Sequence, residues 1–362
     1  MPRPLPHVLK IAPYEWEASN ADVAQLAGIP ESEVVRLDTN TAPWPPVAWD
    51  RTLEDMPRLP ANEYPHPSNE PLRSALAESL GVNPDQVVVT NGADEALFYI
   101  GQVYLEPGRK AVMPTPSFAM FRVITEEFGA ELVGVPVDEH WQIDAEAVLA
   151  AVRDEAVGVV WLCSPNNPTG QLIPAEVIEA VADAAPHAVV VVDEAYYEIA
   201  GVTNFALLAK HPNLVIVRTF SKGYGLAGAR VGYCIAARDI TQHIDAVRMP
   251  QNLSAFSINA AYRAFQDQDG LEERVDQLQE ERERLMVELQ KRGWEVIPSH
   301  GNFLLTKPPI PADELSDILQ KHGLVVRSYG ANPRLADYVR VTVRSPEEDQ
   351  RLLDVLDSLA RT

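Results

Sequence analysis

Between about residues 70 and 245 the chain alternates between two kinds of segment. Stretches with mixed apolar and polar positions, at 71–81, 93–105, 118–129, 145–153 and 174–185, read as helices that each bury one face. Between and after them lie short apolar runs: VVVT (87–90), RKAVMP (109–114), AELVGVPV (130–137), AVGVVWLC (156–163), HAVVVVDEA (187–195), NLVIVRTF (213–220) and RVGYCIA (230–236). Near-continuous valine and isoleucine is what a mostly parallel sheet covered on both faces requires. Strand and helix taking turns predicts βαβ units and an α/β fold, a three-layer sandwich around a mostly parallel central sheet. Ligands in such sheets bind beyond the carboxyl ends of the strands, so the turns that follow strands carry the interest.

The texture changes after residue 250. LEERVDQLQEERERLMVELQKRG (271–293) predicts a long connecting helix, and its spaced Glu/Arg pairs predict that it is solvated. Short strands in WEVIP, NFLLT, LVVRS and YVRVTVR then alternate with helical stretches, which predicts a smaller α+β domain. The first 50 residues are proline-rich and irregular and are expected to wrap across both units. The expected division is an N-terminal segment (1–49) packing with the small domain, a large domain (50–249), and a connecting helix with the small C-terminal domain (250–362).

Composition narrows the function. A formal net charge of -22, from 30 Lys+Arg against 52 Asp+Glu, repels phosphate backbones and argues against a broad nucleic-acid surface. Small anions remain possible ligands, because a few local arginines dominate a pocket whatever the global charge. Cys163 and Cys234 lie in apolar runs and read as buried thiols rather than as a disulfide or a metal site. The first twenty residues hold no apolar core like that of a signal peptide, and no run reaches the roughly 18 apolar residues of a membrane span. The expectation is a cytoplasmic protein without membrane or nucleic-acid partners.

Four turns carry candidate chemistry. In VVVTNGADEAL, Gly92, Ala93 and Asp94 open a helix after a strand, where free backbone N–H groups attract an anion. In WLCSPNNPTG, Asn166 and Asn167 offer side-chain donors between two prolines. In VVVVDEAYYEI, Asp193 ends a wholly apolar strand, where a carboxylate is costly unless it meets a cation, and Tyr196 follows three residues on. In TFSKGYGLAGARVGY, Ser221 and Arg230 are natural phosphate ligands on either side of Lys222, a lysine able to attack a carbonyl once desolvated. Each turn alone also reads as an ordinary connection or cap. Together they make up an anion cup, a Schiff-base lysine, an acid for a ring nitrogen, and donors for a ring hydroxyl in Asn167 and Tyr196. That set suits pyridoxal phosphate.

In these motifs, SPNNPTG, DEAYYEI and SKGYGLAGARVGY, the chain resembles the fold type I pyridoxal-phosphate aminotransferases over nearly its whole length, most of all the histidinol-phosphate aminotransferases. The resemblance implies transamination by a ping-pong mechanism, with a 2-oxo acid such as 2-oxoglutarate as acceptor and Lys222 as base. It implies that Ala93 and Asp94 contact the cofactor phosphate, that Phe118 stacks on the ring, and that Tyr64 reaches the phosphate in the neighbouring subunit of a homodimer with shared active sites. Arg340 would then take the substrate carboxylate and Arg327 a substrate phosphate, with Asn40 also at the substrate. The chain departs from the family pattern in the segment RLDTNTAPWPP, at Thr41, Trp44 and Pro45, and at Arg344; these departures are expected near the substrate side chain. Trp44, Phe118 and Tyr14 leave an aromatic amino acid aminotransferase open, and the arginines leave a phosphothreonine decarboxylase-like enzyme open. A non-enzymatic binding protein on the same fold would be expected to lose Lys222 or Asp193, and both are present.

Overall fold

The valine runs form the spine of the molecule. The computed structural model describes residues 4–11, 16–330 and 332–359. Strand β1 (Val35–Leu37) belongs to the N-terminal segment. It is followed by β2 (Val87–Thr90), β3 (Lys110–Thr115), β4 (Glu131–Pro136), β5 (Val157–Cys163), β6 (Val189–Asp193), β7 (Leu214–Thr219) and β8 (Gly232–Ala236). These seven form one sheet in the order β2-β8-β7-β6-β5-β3-β4. Strands β7, β6, β5, β3 and β4 run parallel, and β8 pairs antiparallel with both β2 and β7. Every residue of β5, β6 and β7 is buried, because helices cover both faces of the sheet. The predicted α/β sandwich is therefore present.

The second sheet has five strands in the order β1-β11-β12-β10-β9, from β9 (Glu295–Ile297), β10 (Phe303–Lys307), β11 (Leu324–Ser328) and β12 (Val339–Thr342). Its edge strand β1 pairs parallel with β11 across almost the whole chain, Leu37 opposite Val326. The sequence pattern did not single out β1, which has only three residues among prolines and polar residues.

One expectation needs correction. The helix over Gln268–Lys291 is not simply solvated. Leu271, Val275, Leu278, Leu285 and Leu289 recur at helical spacing and are buried. Leu271 and Val275 pack into the core of the large sheet, whereas Leu278, Leu285 and Leu289 pack into the core of the small one. The charged residues mask this stripe in sequence. The helix thus shares its apolar face between both cores and fixes the small sheet over the carboxyl ends of the large one.

Candidate active site

The ends of β5, β6 and β7 deliver Cys163, Asp193 and Thr219 to a cleft of about 580 Å³, where Lys222, Asn167, Tyr196 and Phe118 join them. Burial works on each titratable group. The Asp193 carboxyl is only 3% exposed and accepts the Ala195 N–H at 3.0 Å. Its pKa is pushed up to about 7, chiefly by burial and further by the nearby charge of Asp94. An acid so placed is stabilised by a cation brought opposite it. The Lys222 amine is brought down to about 8, first by burial and then by the charge of Arg340. Its Nζ donates to the Asn40 carbonyl at 3.0 Å. Asn40 adopts φ 52°, a left-handed conformation that asparagine tolerates better than most residues.

Asn40 is buried, and its side chain is committed to neighbours: it donates to the Tyr196 hydroxyl at 3.0 Å and accepts from the Thr342 hydroxyl at 3.1 Å. The Tyr196 oxygen accepts in that contact, so its own proton remains for another acceptor. The two asparagines of the proline loop divide. Asn167 faces the cleft, where its side-chain carbonyl accepts from Arg340 at 2.7 Å. Asn166 instead knots the loop, bonding Ser117, the Pro116 carbonyl and Thr169, and is not a donor to the cleft. Cys163 reaches the cleft, but burial raises its thiol well above the usual range, which disfavours the thiolate.

The anion cup is built by close approach. The helix Gly92–Tyr104 starts at Gly92, whose φ is 79°. A Cβ there would stand 2.5 Å from the Arg230 guanidinium, and one at Gly232 would meet the Ala93 nitrogen at 2.5 Å, so both positions need glycine. Arg230 was expected to begin a strand; it sits just before β8 in a left-handed conformation, φ 52°, which turns its side chain back over the helix start. There it pairs with the Asp94 carboxylate at 2.9 Å. Asp94 therefore orients the arginine, and what the helix start offers an anion is backbone N–H. Thr219 donates to the Ser221 hydroxyl at 2.9 Å and holds it at the same place.

The opposite wall comes from the small sheet. Arg327 and Arg340 are directly opposite each other across β11 and β12. Arg340 is 8% exposed and bonds Asn167 and the Asp38 carbonyl, while its buried Nε–H lacks an acceptor among the described residues. Arg340 also lines the cleft, and a planar guanidinium there fits a carboxylate. Arg327 lies 3.5 Å from the Glu17 carboxylate. Glu17, Trp16, Thr39 and the bidentate Arg36–Asp38 pair also line this wall and went unnoticed in the sequence. The alternation Arg36-Leu37-Asp38 was the one available signal.

Three positions expected near the substrate side chain, Trp44, Pro45 and Arg344, lie away from the cleft. Trp44 packs on the small-sheet core, with Arg274 5.4 Å over its ring, and does not line the cleft. Arg344 does not line it either; it bonds Glu348 and the Thr41 carbonyl and so acts on the cleft only through Thr41. Tyr64 is 88% exposed on the surface of the chain. Tyr14 falls outside the described residues.

An amine with a lowered pKa beside a buried acid and an anion cup suits amino-group chemistry, and the molecule is an enzyme of the amino-group-transfer class. It belongs to the aminotransferase class I and II family, whose model matches residues 33–356. Among curated relatives, a histidinol-phosphate aminotransferase of Methanothermobacter thermautotrophicus is 37% identical over 97% of this chain and 95% of its own length. One of Ruminiclostridium cellulolyticum is 34% identical over 89% and 91%. Among solved structures, the histidinol-phosphate aminotransferase of Sinorhizobium meliloti, in complex with pyridoxal-5'-phosphate, has a TM-score of 0.88 at 28% identity and covers 99% of both chains. An L-threonine-O-3-phosphate decarboxylase of Porphyromonas gingivalis has a TM-score of 0.78 at 25% identity, covering 91% of this chain and all of the other.

Proposed function

We propose that this aminotransferase uses pyridoxal 5'-phosphate to exchange an amino group between histidinol phosphate and a 2-oxo acid such as 2-oxoglutarate. The observation that carries the reading is the pair of cleft walls: an anion cup, acid and amine on one side, and two facing arginines on the other. The two curated relatives named above, at 34% and 37% identity, favour histidinol phosphate over the phosphothreonine alternative.

The residues fit the cofactor. The helix start at Gly92 and Ala93, with Ser221 and Arg230, would hold its phosphate; Asp193 its ring nitrogen; Asn167 and Tyr196 its ring hydroxyl; Phe118 one ring face. When bound, the cofactor supplies a carbonyl for the amine and a ring that takes up the electron pair left by the departing α-proton. Asp193 keeps a proton at the ring nitrogen. Lys222, its pKa lowered to about 8, gives up its proton more readily than an ordinary lysine, and takes and returns the proton at the substrate α-carbon. Arg340 clamps a substrate carboxylate, and Arg327 receives the substrate phosphate.

We read the units as residues 1–49, 50–249 and 250–362, and the assembly as a homodimer in which Tyr64 enters the neighbouring cleft. Its exposure supports this, as does an apolar groove of about 290 Å³ between Trp49, Met56, Leu226 and Phe256. Two buried free cysteines fit a cytoplasmic setting, and no described helix is long and apolar enough to cross a membrane.

Single-turnover reaction of the holoenzyme with histidinol phosphate, phosphothreonine, phenylalanine and tyrosine tests the substrate. Histidinol phosphate is expected to react fastest; a faster phenylalanine, or carbon dioxide release from phosphothreonine, overturns it.

A further inference from the structure

The N-terminal segment brings a carboxylate against a substrate arginine. Glu17 and Arg327 are 12% and 16% exposed and stand 3.5 Å apart at the cleft wall. Glu17 does not depend on Arg327 for its position, because the same oxygen, Oε1, accepts the Ser328 N–H at 3.0 Å and lies 3.4 Å from the Ser328 hydroxyl. Around it stand Arg327 and Ser328 on β11, and Asp38 just past β1 with its partner Arg36. Burial raises the Glu17 pKa and Asp38 adds to this, while the Ser328 N–H and Arg327 oppose them. Its ionised form is therefore sustained by the arginine that the substrate needs.

We propose that Glu17 is a specificity-determining residue: it occupies the face of Arg327 that the substrate phosphate must take, and so sets the discrimination between phosphorylated and unphosphorylated amino donors. The proposal rests on the reading that Arg327 receives the phosphate. A phosphate monoester carries about -1.5 to -2 charges at neutral pH. It cannot share Arg327 with an ionised carboxylate without strong repulsion, so its entry breaks the Glu17–Arg327 pair. An unphosphorylated donor leaves the pair intact. Glu17 thus lowers the advantage of the phosphorylated donor and eases release of a phosphorylated product.

Glu17→Gln isolates the charge, because the amide oxygen still accepts from Ser328. The measurement is steady-state kinetics of the holoenzyme with histidinol phosphate and with histidinol, which differ only in the phosphate. The expected result for Glu17→Gln is a three- to tenfold rise, roughly that of one partly buried ion pair, in the ratio of kcat/KM for histidinol phosphate to that for histidinol. The rise should fall in KM for histidinol phosphate, and Glu17→Asp, which keeps the charge, should restore a ratio near that of the parent. An unchanged or lower ratio in Glu17→Gln, or equal shifts for both donors, overturns the proposal. Arg327→Ala separates the two claims. If it leaves KM for histidinol phosphate unchanged, the reading of Arg327 itself fails; if it raises that KM while Glu17→Gln changes nothing, only the role of Glu17 fails.

Discussion

The two walls of the cleft are made by different kinds of structure. On one, Asp193 and Thr219 end strands in which every residue is buried, and Ser221 and Lys222 follow within three residues of Thr219. On the other, Arg340 meets the Asp38 carbonyl from 302 residues away, and the Arg327–Glu17 pair joins segments 310 residues apart. The first wall is local chain geometry on a rigid sheet. The second exists only once β1 has docked against β11. The difference teaches that the groups we propose for the cofactor sit where the chain has little freedom, while those we propose for the substrate sit where distant segments converge.

The comparison can be broken most sharply at the first wall. Lys222→Ala is expected to lower kcat by at least about a thousandfold, the scale of a lost general base, and to remove the absorption band of the lysine-linked cofactor from the purified holoenzyme. A retained lysine-linked band together with retained turnover would remove Lys222 from its role. At the second wall, Arg340→Lys keeps the charge and loses the planar fork. We expect KM for 2-oxoglutarate to rise by tens-fold with a smaller change in kcat. A fall confined to kcat would assign Arg340 to the chemistry instead.

Asp193 gives a stability test. Its folded pKa of about 7 lies above the ordinary carboxyl value of about 4. Between those values the folded protein holds a proton that the unfolded chain has released, so stability falls as pH rises through that window. In urea melts of the cofactor-free protein at pH 4.5 and 7.5, Asp193→Asn should remove this decline, which is on the order of 4 kcal/mol at most. A variant that retains the full slope would mean that other groups carry it. The smallest effect is expected at Trp44→Ala: a loss of about 2 kcal/mol from incomplete packing on the small-sheet core, with the ratio of phosphorylated to aromatic substrates unchanged. A shifted ratio would return Trp44 to the substrate wall.

Legibility in the sequence followed the same division. The valine runs announced the parallel sheet, and the turns after them carried Asp193, Lys222, Ser221 and Arg230 to the cleft. Asn166 and Asn167 were indistinguishable in SPNNPTG, because only the fold decides which amide turns inward. Trp44 and Arg344 stood out as departures from a family pattern, yet one is packing and the other acts through Thr41. Glu17 had no signal at all, since a lone glutamate among polar residues is ordinary until an arginine arrives beside it.

By itself, then, the sequence determined the large sheet and the turns that bring Asp193, Lys222, Ser221 and Arg230 to one cleft, because hydrophobic period and strand-end turns are properties of neighbouring residues. Tertiary structure alone decided the pKa values, which come from burial, and the arginine wall, which comes from contacts between segments hundreds of residues apart. Burial and long-range pairing depend on the whole folded chain, and no local pattern encodes them.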